Sequence, residues 1–228
     1  MLEHSIREEL NAEASRRIAI AHPIKLVVTN YPEDKEEFFE LSNNPQKPEA
    51  GTRALPFTRE LYIDASDFAE LPPPKFFRLK PDGEVRLMGA YIVKCNEVVK
   101  NPDGSIREIR CTADLETRNG NPTDGRKIKG TIHWLSARHA GETTLMLYDR
   151  LFTIENVNAI PEDKTYNDYL NPDSLTVVKG AKIEPALANA APGEQFQFVR
   201  DGYYCKDTKN PDTFNRIVGL KDSFPAKK

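Results

Sequence analysis

The period of the apolar positions changes early in the chain. Leu2, Ile6 and Leu10 fall at i, i+4 and i+8, one stripe on a helix over residues 2–11. No capping residue precedes it, so the chain reads as a piece of something longer. From Arg16 the period drops to two. Ile18 and Ile20 alternate with Arg17 and Ala19, and Pro23 leads into the β-branched run 24–29. The acidic stretch 32–50, with Asn43-Asn44-Pro45 and Pro48, reads as a loop or as a strand pair with a long exposed connection. A strand follows at 60–64, and Ser66 or Asp67 offers a cap for one helical turn. Residues 76–94 read as two short strands joined by the turn Lys80-Pro81-Asp82-Gly83. Ile109, Cys111, Ala113 and Leu115 alternate with Arg110, Thr112, Asp114 and Glu116, which predicts a half-buried strand. Residues 101–105 form a hairpin loop and 119–125 a longer turn-rich one. Further strands are predicted at 129–134, 143–148, 175–178, 195–204 and 214–218. Short strands at about 8–12-residue spacing, with turn signals between them, indicate β-barrels or sandwiches rather than a βαβ fold.

Two stretches interrupt this rhythm. Leu71-Pro72-Pro73-Pro74 predicts a subdomain boundary, because three prolines stiffen and extend a chain. Residues 155–173 are polar and aromatic and carry Pro161 and Pro172.

Length and composition narrow the classes. With 228 residues the chain suffices for one large domain or two small ones. No apolar run approaches the roughly 20 residues of a membrane span, and the charged N-terminus lacks a signal-peptide pattern. Cys95, Cys111 and Cys205 are odd in number and widely spaced, which suits packed free thiols in a reducing cytosol and no metal cluster. The net charge of −3 argues against indiscriminate nucleic-acid binding. It averages unlike segments, however. Residues 32–40 hold five acids and one lysine, residues 71–100 six bases and three acids, and residues 121–139 four bases and one acid.

Candidate chemistry follows the basic segments. Arg78 and Arg86 flank one turn among Phe76, Phe77, Leu79, Val85 and Leu87, with Tyr91 and Lys94 beyond. Guanidinium forks beside flat apolar surface suit single-stranded RNA, whereas the bland reading is a solvated strand face. Catalytic signals are absent. Ser136, His139 and Asp149 lack a nucleophile elbow, no glycine-rich phosphate loop occurs, and His133 beside Trp134 reads as a satisfied core histidine.

Taken together, several segments resemble one family. They are Pro56-Phe57-Thr58-Arg59-Glu60-Leu61-Tyr62-Ile63-Asp64, Gly83-Glu84-Val85-Arg86-Leu87, Lys127-Ile128-Lys129-Gly130-Thr131-Ile132-His133-Trp134 with Leu135-Ser136-Ala137-Arg138-His139, and Leu147-Tyr148-Asp149-Arg150-Leu151-Phe152. Asn171-Pro172-Asp173-Ser174-Leu175, Phe196-Gln197-Phe198 and Phe214-Asn215-Arg216-Ile217-Val218-Gly219 continue the series toward Phe224. In this order they resemble the C-terminal, anticodon-binding half of glutaminyl-tRNA synthetase, a class I enzyme.

The resemblance implies a mainly β fold of two barrels behind a short helix. A proximal barrel is built from early and late segments, and a distal barrel is inserted between them. The implied boundaries are 1–15 for the end of a helical subdomain, 16–70 and 156–228 for the proximal barrel, and 71–155 for the distal one. It also implies roles. Arg16 and Gln197 match contacts to the second anticodon base, a uracil, with Asn11 a polar contact at the end of the helix. Arg78 matches the reader of a third-position guanine, Arg86 a residue at the first base, and Arg200 one near the backbone or third base. Lys75 and Gln46 stand where the family carries Gln and Asn at the uracil pocket, and Met88 where an Arg often accompanies Arg86. The implied partners are glutamine tRNA and the missing catalytic domain, in a monomeric cytoplasmic protein. The family's catalytic motifs are absent here, so this part is expected to hold no cofactor, with ATP and Mg belonging to the catalytic domain. Glutamyl-tRNA synthetase, a ribosomal-protein-like RNA-binding barrel and a β-rich interaction module remain alternatives.

Overall fold

In the computed structural model, which describes residues 2–221, one helix precedes sixteen short strands. The expected stripe forms α1 (Leu2–Glu13), which buries Leu10 and half-buries Ile6 against Tyr203 and Val218. Its last turn is tied down from outside. The Asn44 side-chain amide donates to the Ala12 carbonyl at 2.8 Å, meeting one of the acceptors a helix end leaves open.

The strands fall into two seven-stranded, barrel-like sheets and one hairpin. The first sheet joins early and late segments: β1 (Ser15–Arg17), β2 (Ala19–Ile20), β12 (Gly141–Tyr148), β13 (Leu175–Ile183), β14 (Gln195–Phe198), β15 (Gly202–Lys206) and β16 (Thr213–Gly219). The second holds β3 (Pro23–Val28), β6 (Glu60–Asp64), β7 (Glu84–Leu87), β8 (Ile92–Lys100), β9 (Ile106–Asp114), β10 (Thr131–Ile132) and β11 (Leu135–Ser136). The hairpin of β4 (Glu37–Ser42) and β5 (Thr52–Phe57) supplies Phe39, Leu55 and Phe57 to the second core. A barrel built from early and late segments with another inserted between them is therefore what the chain forms.

The strands change sheet at other places than the prolines suggested. The chain leaves the first sheet after Ile20 and returns at Gly141, rather than crossing near 71 and 155. Strands β3 and β6 thus pair within the inserted sheet, and β12 pairs with β13 in the outer one. The physical reason is pairing: β3 lies parallel to β9 and antiparallel to β6, so 23–64 cannot part from 106–114. The proline run is a surface loop inside the inserted barrel.

In both sheets the outermost strands are neighbours along the chain. The outermost strands of the first sheet, β1 and β2, are consecutive in the chain with only Ile18 between them. The outermost strands of the second, β10 and β11, are separated by His133 and Trp134. Of the strand expected over 129–134 only 131–132 forms, and the next strand, at the opposite edge of the sheet, begins at Leu135. Residues 76–79 form no strand; the hairpin after the Lys80–Gly83 turn is β7–β8, with the Gly83 amide donating to the Lys80 carbonyl at 2.9 Å.

Each barrel has an aromatic centre. In the inserted barrel Trp134 and Phe57 meet edge-on at 5.0 Å, and Phe39 and Tyr91 join the cluster. Trp134 donates from Nε1 to the Met88 carbonyl at 3.0 Å, so its polar atom is met inside the core. Cys95 and Cys111, distant in sequence, are direct cross-strand neighbours, and both are buried free thiols. In the outer barrel Phe198 stacks on Tyr204 at 4.4 Å beside Phe214.

A buried ion network crosses the seam. Glu184, 1% exposed, accepts from Arg53 Nε at 2.6 Å and Nη2 at 2.9 Å and from the Ile18 amide at 2.9 Å. Arg53 lies on the hairpin of the inserted barrel and Glu184 follows β13 of the outer one. Removing one partner of a buried pair strands the other charge, at a cost of about 3–5 kcal/mol. Glu184→Ala should therefore lower the unfolding free energy by about that amount, read as a lower urea midpoint at unchanged slope. Glu40→Ala, at an exposed position of β4, should change it by less than about 0.5 kcal/mol.

Candidate functional site

The expected residues gather into three groups. The first forms where α1 ends and β1 runs parallel to β14. Arg16 and Gln197 are register partners across these strands, so their side chains share one face. Arg16 donates from Nη2 to Asn11 Oδ1 at 2.9 Å, and the Tyr203 hydroxyl reaches the same oxygen at 3.3 Å. Among the described residues, Arg16 Nη1 and Gln197 Oε1 are buried atoms with no hydrogen-bond partner. One donor and one acceptor on register partners thus lack the hydrogen bonds their chemistry calls for. The loop carrying Gln46 packs next to this group, since the Arg16 amide donates to the Asn43 carbonyl at 2.6 Å. Gln46 itself is exposed.

The second group lies on the seam. Asp67 is fully buried and meets two guanidiniums, one of them as a fork. Arg200 binds it through both terminal nitrogens at 2.7 and 2.6 Å, and Arg78 Nε lies 3.3 Å from Oδ1. Arg78 also donates to the Ser66 carbonyl at 2.7 Å. Arg200 sits in the β14–β15 turn at φ +68°, left-handed backbone that a side-chain-bearing residue rarely adopts, and its bidentate pair holds it there. Ser66 or Asp67 was expected to cap a helical turn. That cap is Asp64, whose carboxylate accepts from the Ser66 amide at 2.9 Å, which leaves Asp67 free for the arginines.

The third group surrounds Arg86 on β7. Its Nη1 donates to the Gly120 carbonyl and its Nη2 to Asn121 Oδ1 at 3.2 Å. The fork is thus engaged by the turn-rich loop, which Arg126 also fastens through Asp114, Asp124 and Glu84. Met88, beside it, packs on the core, which accounts for an apolar residue there.

Between the seam and this loop runs a groove of about 550 Å3, lined by Lys75, Phe77, Arg78, Lys80, Lys127 and Lys129 among others. Lys75 is exposed at φ +65°, in the company of Arg78. Phe77 is 52% exposed with the Lys129 ammonium 5.5 Å from its ring centre, a cation over an aromatic face. Sequence reasoning missed Asp67 and Tyr203 as participants, and read His133 as a satisfied core histidine. His133 is buried, at 7% exposure, yet neither ring nitrogen has a partner among the described residues.

Two barrel-like sheets behind a helix, with arginines converging at the seam and a basic aromatic groove beside it, offer a surface suited to a polyanion with flat rings. Residues 14–114 and 131–207 each match the family described as tRNA synthetases class I (E and Q), anti-codon binding domain, and the chain belongs to that family. Its particular likeness is to glutamine–tRNA ligases. It is 52% identical over 226 residues to the one from Rhodopirellula baltica, 50% over 228 to that from Stutzerimonas stutzeri, and 47% over 227 to that from Bradyrhizobium diazoefficiens. Each match covers 98% of this chain but 37%, 41% and 40% of the relative, so the chain spans about two fifths of their length. No helix among the described residues is long and apolar enough to cross a membrane.

The Arg86 clamp has a direct consequence. Arg86→Ala should raise amide exchange across residues 118–126 while leaving β8 and β9 unchanged, read by hydrogen–deuterium exchange mass spectrometry.

Proposed function

We propose that this chain binds the anticodon loop of glutamine tRNA on behalf of a parent enzyme that charges that tRNA. The observation that carries the reading is the Arg16–Gln197 pair, with its open donor and open acceptor on adjacent strands. A uracil edge offers the complement: an N3–H flanked by two carbonyl oxygens. Gln197 Oε1 takes the N–H, Arg16 Nη1 gives to an oxygen, and Asn11 with Tyr203 steadies the guanidinium. Arg78 and Arg200 stand where a third-position guanine is read, through its O6 and N7 acceptors. Arg86 serves the first base, and Met88 in place of a second arginine relaxes the choice there. Lys75, with its ammonium in the basic groove, takes a phosphate instead of a base edge, and Gln46 borders the uracil group.

Family membership and the likeness to glutamine–tRNA ligases support the same reading. An unpaired loop can be unstacked and its base edges read, which a closed A-form helix does not permit. In this reading ATP and Mg belong to the catalytic part of the parent. The protein acts as a monomer in the cytoplasm, where its free thiols stay reduced.

The test is titration of the chain with a glutamine anticodon stem–loop and with copies altered at each anticodon base. Loss on changing the second or third base, with weaker dependence on the first, is the expected result. Gln197→Leu should cost about 1–3 kcal/mol with uracil at the second position and much less with cytosine there. Salt-sensitive binding indifferent to all three bases would leave only a general polyanion surface.

A further inference from the structure

The turn-rich loop that Arg86 fastens holds a chemical feature found once in the chain. Asn119 is the only asparagine followed by glycine, and both residues are exposed. In that setting the next backbone nitrogen can attack the asparagine side chain, because glycine has no side chain to hinder the approach. Packing does not account for the glycine. Its backbone is not left-handed, and a Cβ built there would meet only the Arg118 carbonyl oxygen at 3.8 Å, an ordinary contact.

The loop is nonetheless held against that reaction. The Gly120 N–H, on the nitrogen that must attack, donates to the Thr117 carbonyl at 2.9 Å, and the Asn119 N–H donates to the Ala90 carbonyl at 3.1 Å. Arg86 donates to the Gly120 carbonyl and, at 3.2 Å, to Asn121 Oδ1. Asn119 itself has left-handed backbone, at φ +53°. Closing a five-membered ring needs the backbone at Asn119 to rotate until the Gly120 nitrogen faces its Cγ. Each of these ties resists the rotation, and the two from Arg86 fasten the loop to β7.

We propose that Asn119 is a site of spontaneous deamidation and that the Arg86 clamp sets its rate. The Gly120 nitrogen gives its proton to hydroxide and bonds to Asn119 Cγ. The bond from Cγ to the side-chain nitrogen breaks, and that nitrogen leaves as ammonia. Water then opens the cyclic imide. Cleavage of the bond to Cγ gives aspartate. Cleavage of the bond to the backbone carbonyl carbon gives isoaspartate, which threads the main chain through the side chain. Water enters, ammonia leaves, and no oxidant or reductant takes part. Either product sets a carboxylate next to Arg118 in the chain and one residue from the carbonyl that Arg86 holds. The anticodon reading places a base at that fork, but the modification stands on the geometry of the loop alone.

The experiment is incubation of the whole chain in mildly alkaline buffer, then proteolysis and mass spectrometry of the peptide carrying residue 119, which gains one dalton on conversion. A synthetic peptide of residues 115–124 is the unclamped reference. The wild-type chain should convert more slowly than that peptide by about tenfold or more, the factor expected of one or two net hydrogen bonds. Arg86→Ala should recover most of that factor at Asn119 while the other asparagines stay unconverted. Gly120→Ala, which the space around it tolerates, should nearly abolish conversion, since the added methyl hinders ring closure. A wild-type chain as fast as the peptide overturns the assignment, as does an Arg86→Ala chain no faster than wild type. An unchanged rate in Gly120→Ala excludes the cyclic route and overturns it as well. Conversion spread over many asparagines in Arg86→Ala marks general loosening instead of a released clamp, and that too overturns it. Should Arg86→Ala fail to fold, by circular dichroism, Asn121→Ala removes one arm of the clamp at an exposed position. It should speed conversion a few-fold, and an unchanged rate there again overturns the proposal.

Discussion

Two buried carboxylates hold the two barrels in register. Glu184, from the outer barrel, takes the fork of Arg53 from the inserted one, and Asp67, from the inserted barrel, takes the fork of Arg200 from the outer one. The pairs run in opposite senses across the same seam, so each barrel gives one acid and receives another. Such pairs contribute little net stability compared with apolar packing. Their value is geometric, because a bidentate fork accepts one orientation and resists sliding. Of the residues expected to read RNA, Arg78 and Arg200 sit on this seam, and their placement depends on its not shifting.

The way the sheets close sets which side chains reach the seam. Each sheet has its outermost strands joined by one or two residues, Ile18 in one and His133 with Trp134 in the other. Links this short admit no slack, so the residues at them are fixed by the sheets on both sides. Ile18 donates its amide to Glu184, and Trp134 hydrogen-bonds Met88 inside the core. Closure and the seam contacts are thus parts of one construction.

Much of this was legible from the chain. The alternation in 109–115, the β-branched run after Pro23 and the turn residues at 101–105 gave strands and a hairpin where they occur, because local pattern and final burial agree there. The eight segments in order pointed to a barrel inserted in another. The crossing points were not legible. Three prolines signal stiffness, but whether a stiff loop lies between domains or on one domain's surface is decided by which strands pair, and β3 with β9 is a contact across more than 80 residues. The site was half legible for a similar reason. Arg78 and Arg200 carry obvious chemistry, whereas the importance of Asp67 comes from being the buried acceptor where they converge. Nothing in Ala65-Ser66-Asp67-Phe68 distinguishes that role from a cap. The open state of His133 is likewise a property of its surroundings: its position beside Trp134 suggests a core residue, and the missing partners appear only once the seam is assembled.

The groups of polar residues differ in how prepared they are for a ligand. Arg16 Nη1 and Gln197 Oε1 are buried atoms without partners among the described residues, so a complementary edge must uncover them and in return supplies the hydrogen bonds they lack. Arg78 and Arg200 are already paired with Asp67, and Arg86 with the 120–121 loop, so a base at either place must share or exchange an existing acceptor. Exchange at Arg86 loosens a surface loop. Exchange at Asp67 touches a contact that holds the barrels together. In the proposed reading, occupation at the seam bears on the balance of forces between the barrels, because Asp67 and Arg200 belong to different ones. A ligand can shift such a balance only by its unequal affinity for the two arrangements.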